Sequence, residues 1–295
     1  MKEFICPLCK SDKAIIVNKK DTRDIVEGYK RQYNVDVTPY YIGVEKIFSM
    51  QCTNCDLVTH SPSKPGTSDF YNQMQQHPFY YEKEKREFNY AIEKIKQTKI
   101  NSLVEIGSGE GNFLKKVRNS YDVSAIEYST DAIQKLEQSG LRLHKEENQY
   151  DFVVSFQVLE HVSDVRGFID SAVKLLKKDG YLLFTVPNFD SPYIKEGGSP
   201  LLDFPPHHMT QWTKKALHSI GDIFKLNVEE YYIENIRIEH LLTLMSARRN
   251  PIIGQGITAG IIRKIARTVD KVMAPYYLDN YEGAGVTHGI LLKKV

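Results

Sequence analysis

The sequence predicts an α/β protein: an open, mostly parallel sheet with helices on both faces, preceded by a small cysteine-bearing domain. Three observations predict it. The run Leu103-Val104-Glu105-Ile106-Gly107-Ser108-Gly109-Glu110-Gly111-Asn112-Phe113 is a short apolar stretch, three glycines at alternate positions and the start of an amphipathic pattern. That order reads as strand, tight turn and helix. Apolar runs at 102–107, 122–127, 151–156 and 181–186 alternate with helical patterns near 111–119, 130–138 and 165–178, the alternation of a parallel sheet. Finally, all four cysteines stand in two Cys-x-x-Cys pairs, Cys6/Cys9 and Cys52/Cys55.

Length and composition set the frame. A chain of 295 residues, 41% apolar and 26% charged, can hold one large soluble domain or one domain plus a small one. A net charge of +2 gives no general push toward nucleic acid. No apolar run has the length of a bilayer span, and Met1-Lys2-Glu3-Phe4-Ile5-Cys6-Pro7 has no apolar signal core, so the expected compartment is the cytoplasm.

The first domain is read as residues 1–64. Two Cys-x-x-Cys knuckles can present four thiolates tetrahedrally to Zn²⁺, with no cysteine left over. Disulfides, disfavoured in a cytoplasm, and a redox pair, which needs one knuckle only, are the alternatives. A domain this small buries little core, so a metal there is expected as a structural staple without an open position for catalysis. Strands are expected at Ala14–Val17 and Tyr40–Val44, between the knuckles.

Residues 65–97 are a connecting segment, begun by the loop chemistry of Ser61-Pro62-Ser63-Lys64-Pro65-Gly66 and ending in the helical pattern Phe88, Ala91, Ile92, Ile95. The main domain, 98–295, opens with the glycine turn. Glycine there lets the backbone take φ > 0 and approach a ligand closely, while the helix that follows aims its unpaired N–H groups into the turn. A second apolar run, Val123-Ser124-Ala125-Ile126, ends in Glu127, placed to accept from ribose hydroxyls. Between Glu127 and Asp151 there is room for one helix and a short third strand, Leu141-Arg142-Leu143.

The spacing bears on the cofactor. A dinucleotide fold asks for Gly-x-Gly-x-x-Gly, whereas here the third glycine comes one residue early, in Glu105-x-Gly107-x-Gly109-x-Gly111. That arrangement resembles motif I of the class I S-adenosylmethionine (SAM) methyltransferases. The resemblance implies a Rossmann-like, seven-stranded methyltransferase sheet. It places Glu105, Gly107, Gly109 and Gly111 around the methionine moiety and Glu127 on the ribose, with Ser108, Tyr128, Gln157 and Tyr81 completing the expected cofactor-binding set.

Further along, Tyr150 to Phe156 is an apolar strand ending in Gln157-Val158-Leu159-Glu160-His161-Val162, which is similar to motif IV of the small-molecule branch of that family. Tyr181-Leu182-Leu183-Phe184-Thr185-Val186-Pro187-Asn188 matches the strand that follows there. His161 is either a general base or a local hydrogen-bonding residue that orders its loop. In Pro205-Pro206-His207-His208-Met209-Thr210-Gln211-Trp212, beyond a Gly/Pro-rich stretch, an imidazole has a pKa suited to base work near neutrality. His208 and Trp212 fit the family's His-x-x-x-(Phe/Trp)-(Ser/Thr) arrangement; the alternative is that His208 pins the loop. His208, His207 and His161 are thus the candidate catalytic residues.

A helix over 213–224 and a strand over 225–234 precede an insertion at 236–282, and 283–292 is the terminal strand. Within the insertion, residues 257–273 form a basic amphipathic helix with Ile257, Ile261, Ile265, Val269 and Val272 on one face. That face is expected to pack on the protein itself; peripheral contact with a membrane surface is the other reading.

Cysteine pairs ahead of a Glu-His-Val methyltransferase core look like bacterial enzymes that methylate sugars in polysaccharide, lipopolysaccharide or antibiotic pathways. The resemblance implies transfer to a hydroxyl of a sugar, nucleotide sugar or surface glycan. The chain lacks the further C-terminal domain of sugar C-methyltransferases, which weakens carbon methylation. A zinc-ribbon rRNA N-methyltransferase is the alternative of similar layout, against which stand the distant Cys52/Cys55 pair and the near-neutral charge. A non-enzymatic partner module is a third, opposed by the intact glycines and Glu127.

Overall fold

The computed structural model describes residues 4–77, 80, 82–197, 200–253 and 257–295. In its N-terminal part β1 (Ala14–Asp21) runs into α1 (Thr22–Tyr33). Asp21 caps the helix by accepting from the Arg23 N–H, and Asn34 ends it in the left-handed region. Ile25 and Tyr29, one turn apart, are its large buried anchors. β2 (Lys46–Cys52) and β3 (Val58–Ser61) complete an antiparallel sheet with β1. The strand expected at Tyr40–Val44 is not formed. Pro39 lacks the N–H a ladder requires and starts a 3₁₀ turn over Thr38–Tyr40, while Tyr41 is buried in the local core.

Two helices follow, α2 (Ser68–Met74) and α3 (Arg86–Gln97). The chain then alternates through β4 (Ser102–Ile106), α4 (Leu114–Val117), β5 (Asp122–Ile126), α5 (Thr130–Gln138), β6 (Arg142–Leu143), β7 (Tyr150–Phe156), α6 (Val165–Lys174) and β8 (Leu176–Pro187). After α7 (Pro192–Gly197) come β9 (Thr210–Gln211), α8 (Lys214–Phe224), β10 (Leu226–Ile233), α9 (Ile238–Ile253), α10 (Ile257–Tyr277) and β11 (Thr287–Lys294).

The large sheet has the order β10-β11-β8-β7-β4-β5-β6. β4 to β8 are parallel, and β11 enters antiparallel between β8 and β10. Its central strands are apolar on both faces because both are covered. Val104, Val153 and Leu182 pack toward α6 and α8 on one face; Leu103, Phe152 and Leu183 pack toward α3 and α5 on the other. The third strand is two residues long, as its short apolar run allows.

One pairing crosses between the two parts. β9 adds as a fourth strand beside β3, with Val58 opposite Gln211 and Thr59 opposite Thr210. Tyr41 reinforces it by donating its hydroxyl to the Pro205 carbonyl. The loop that carries His207 and His208 is therefore gripped by the N-terminal sheet.

The insertion is a helical hairpin. α10 lays Ala274 and Asp270 against α9, and Asp270 pairs with Arg249. The apolar face expected to pack on the protein is instead exposed: Ile261 is 57%, Ile265 61%, Val269 54% and Val272 63% accessible. The side chain of Ile257 lies outside the described ones. Small Ala274 and the ion pair let the helices approach on the opposite side, which explains the inversion. No helix among the described residues is long and apolar enough to cross a membrane.

Candidate active site

In an open parallel sheet ligands bind at the carboxyl ends of the strands where the strand order reverses. Here that point lies between β4 and β7, and a cavity of about 520 Å³ opens there. Its walls come from the turn after β4, the end of β5, the loop after β7, α2 and the loop leading into β9.

The glycine turn is shaped by contacts no side chain could share. Gly107 sits at φ +73°, and a Cβ on it would stand 2.4 Å from Val158 Cγ2. Its N–H donates to the Ile126 carbonyl at 2.8 Å, so the turn folds back on the next strand. Gly109 donates its N–H to Glu127 Oε2 at 2.7 Å. Glu127 Oε1 accepts from Tyr128 N–H at 2.7 Å and Ser129 N–H at 2.9 Å. A carboxylate offers about four lone-pair directions, so acceptor capacity remains on the cavity side. Tyr128 stands at the rim, 86% exposed. Gly111, at φ +75°, faces away: a Cβ there would meet Leu141 Cδ1 at 2.4 Å, so this glycine seats the turn against α5 and β6.

Beside the turn a small recess is lined by Glu105, Ser108, Gly109 and Lys85. Glu105 Oε2 and Ser108 Oγ are buried there without hydrogen-bond partners. Burial holds the Glu105 carboxyl well above the usual carboxylate range. These two orphaned polar atoms fit a ligand that brings an amine and a cationic centre, as the amino-acid end of SAM does.

Gln157, at the tip of β7, takes a left-handed backbone at φ +56° and donates through Nε2 to Glu87 Oε1 at 3.4 Å. Tyr81 lies outside the described residues. Three histidines stand together on the opposite wall. His161 Nδ1 donates to the His207 carbonyl at 2.7 Å, which tethers the loop after β7 to the loop before β9. His207 Nδ1 approaches the Leu202 carbonyl at 3.3 Å, leaving its Nε2 without a partner. His208 Nδ1 lies 3.4 Å from Asp203 Oδ1.

Burial sets the protonation of this wall. It pushes His161 down to about 4 and His207 and His208 well below the ordinary histidine value, so all three are uncharged at neutrality. The same burial pushes Asp203 up to about 7 and Glu160 up to about 8. Glu160 Oε1 is 3.8 Å from His161 Nε2. Uncharged imidazoles beside carboxyls that titrate near neutrality can exchange protons with a ligand.

Two groups among the described residues could hold a metal ion, the four cysteines and the three histidines. Of the histidines, His207 and His208 stack within 28° at 4.6 Å, while His161 meets both rings edge-on. The cysteines are better disposed. None is in a disulfide, and Cys6 and Cys55, like Cys9 and Cys52, bring their sulfurs to 3.5 Å. Thiolates around one zinc, with bonds of about 2.3 Å, lie about 3.8 Å apart. Both knuckles close alike: Cys6 C=O accepts from Lys10 N–H and Cys52 C=O from Asp56 N–H, with Lys10 and Asp56 at positive φ. The four cysteines thus fit a small zinc module. It packs on the main domain, where Arg166 donates to the Leu8 carbonyl and Lys215 pairs with Asp56.

Sequence reasoning missed Glu160, Asp203, Glu87, Lys85, Tyr71 and Arg237, all of which border the cavity or its histidines. Glu160 carried a signal, standing inside the Glu-His-Val run. Asp203 carried one too, five residues before His208 in a proline-fixed loop. The others come from helices or the residues just ahead of them, whose placement over the sheet no local pattern specifies.

The comparisons agree with this geometry. The chain is 26% identical over 170 residues to the ubiquinone biosynthesis O-methyltransferase of Rickettsia bellii, covering 51% of this chain and 68% of that protein. A solved structure of a SAM-dependent methyltransferase from Archaeoglobus fulgidus superposes with a TM-score of 0.50 at 15% identity, over 76% of this chain and all of that one. The family model described as a methyltransferase domain matches residues 73–231, more than half of the chain. The protein therefore belongs to the methyltransferase-domain family and is a SAM-dependent methyltransferase.

Proposed function

We propose that the protein transfers the methyl group of SAM to a hydroxyl of a small-molecule acceptor, a sugar, nucleotide sugar or surface glycan. The observation that carries this reading is His208, uncharged on the cavity wall with Asp203 Oδ1 3.4 Å behind its Nδ1. SAM, when bound, supplies an electrophilic methyl group on a positively charged sulfur. The chain's residues do the rest. Glu105, Gly107, Ser108 and Gly109 hold the amino-acid end and Glu127 the ribose. The acceptor hydroxyl would enter from the histidine side of the cavity, where the chain's residues would orient it toward the methyl group. His208 would take the proton that the acceptor hydroxyl loses as it is methylated. Asp203 stabilises the imidazolium, the arrangement of a base oriented by a third group. His161 and His207 keep that loop in register.

The four cysteines are proposed to hold one structural Zn²⁺ that fixes the sheet to which β9 adds. The test of the acceptor is labelled-methyl transfer from SAM to nucleotide sugars, cell-surface glycan and stripped ribosomal RNA. Label in a sugar hydroxyl supports the proposal. Label in RNA alone overturns it in favour of the nucleic-acid reading.

A further inference from the structure

The exposed face of α10 is a second surface that the methyl-transfer chemistry leaves unused. At about 100° per residue, Ile261, Ile262, Ile265, Val269, Val272 and Tyr276 fall within an arc of about 100°. All six are more than half exposed, from Ile262 at 51% to Tyr276 at 76%. Such a continuous apolar stripe is costly on a free surface and marks an interaction site. Lys264, Arg267 and Lys271 are exposed on the adjoining arc. The acid of this helical segment, Asp270, is buried and paired with Arg249, so it does not offset those cations. The helix therefore has three faces: one packed on α9, one apolar and one basic, the last two side by side in solvent.

We propose that α10 docks the protein on an anionic bilayer surface, lying in the interface plane with its apolar stripe among the acyl chains and Lys264, Arg267 and Lys271 among the headgroups. Charge decides the occupant. Two copies joined through this face by a two-fold axis would bring two sets of the same three cations together, which disfavours a homodimer there. An anionic lipid surface instead complements them, and an apolar stripe beside a basic one is the pattern of interfacial helices. α9, to which α10 is clamped, starts at the residue after Arg237, which lines the SAM cavity. Docking thus holds the cavity near the lipid surface. That the acceptor is itself carried at the membrane rests on the methyl-transfer reading; the docking does not.

The test is co-sedimentation of the full chain with vesicles of phosphatidylcholine alone and with about one-third phosphatidylglycerol, at low and high salt. The expected result is binding to the anionic vesicles that weakens with salt. Ile265→Asp with Val269→Asp should lower it about tenfold or more. Lys264→Glu with Arg267→Glu should remove the preference for anionic lipid. Both pairs alter solvent-exposed positions, so thermal melting and SAM affinity should match the parent, which separates loss of docking from loss of the methyltransferase site. A parent chain that stays in solution with anionic vesicles overturns the proposal. So does equal binding by the Asp variant, or a dimer in solution that the Asp variant splits.

Discussion

The backbone N–H of Gly109 donates to Glu127 Oε2 at 2.7 Å, so one carboxylate ties the turn after β4 to the end of β5. Together with the N–H groups of Tyr128 and Ser129 it accepts three backbone bonds. The acid at the second strand is thus a brace for the glycine turn as well as a group facing the cavity. Two motifs about twenty residues apart in sequence act as one structural unit.

Replacing Glu127 with Ala leaves those three donors without their acceptor and removes the carboxylate assigned to the ribose. Hydrogen bonds to a charged group contribute about 1.5–3 kcal/mol each, so SAM affinity should fall on the order of ten- to a hundredfold. The residue is at the end of an internal strand but its carboxylate faces the cavity, so far-UV circular dichroism should be unchanged. Titration calorimetry with SAM checks this, and an unchanged affinity refutes the ribose role.

The cysteine module gives a second expectation. Purified protein should carry about one zinc per chain, measured by atomic emission. Cys6, Leu8, Cys52, Cys55 and Leu57 belong to the same buried cluster as Trp212 and Ala216 of the main domain. Stripping the metal should therefore lower the melting temperature of the whole chain, by about 10 °C if several kcal/mol are lost. A metal-free chain that melts at the parent's temperature refutes the staple.

Stability should fall as pH rises from about 6.5 to 8. Burial raises the folded-state pKa of Glu160 to about 8 and of Asp203 to about 7, so the folded chain keeps protons that the unfolded chain has released. Where the folded state binds more protons, stability declines with rising pH. The lowered histidines, His161 near 4 among them, act in the opposite sense but only below about 6.5, where unfolded imidazole becomes protonated. Above that pH the histidines no longer offset the carboxyls, and Glu160 contributes a loss of about 2 kcal/mol across the window. Glu160→Gln, melted across the same range, should flatten the decline; an unaltered slope shows that another group sets it.

How much of this was legible in the chain depends on whether the signal was local. The alternating strands and helices and the glycine turn were readable because apolar periodicity and backbone freedom act over a few residues. Tyr40–Val44 misled because an apolar aromatic run outweighed a single proline. The α10 face misled for a deeper reason: periodicity reports that a helix has an apolar side, and only the packing of Ala274 and the Arg249–Asp270 pair decides which side meets the protein. Asp203 behind His208 depends on the addition of β9 to β3, a pairing some 150 residues apart that no sequence pattern announces.

That pair yields the sharpest kinetic expectation. His208 Nδ1 is 3.4 Å from Asp203 Oδ1, and both side chains are buried. Removing a general base lowers turnover on the order of 10²–10⁴-fold, so His208→Gln should lose kcat on that scale while SAM affinity stays near the parent's. Asp203→Asn keeps the shape but not the charge that stabilises the imidazolium. Because burial raises Asp203 to about 7, it is neutral below that pH and ionised above, so parent turnover should rise through about pH 7. In Asp203→Asn that inflection should vanish and kcat should stay low across the range. These profiles are measured with the acceptor that takes the label. Parent-like turnover in His208→Gln would sink the assignment of the base and leave the loop a purely structural role.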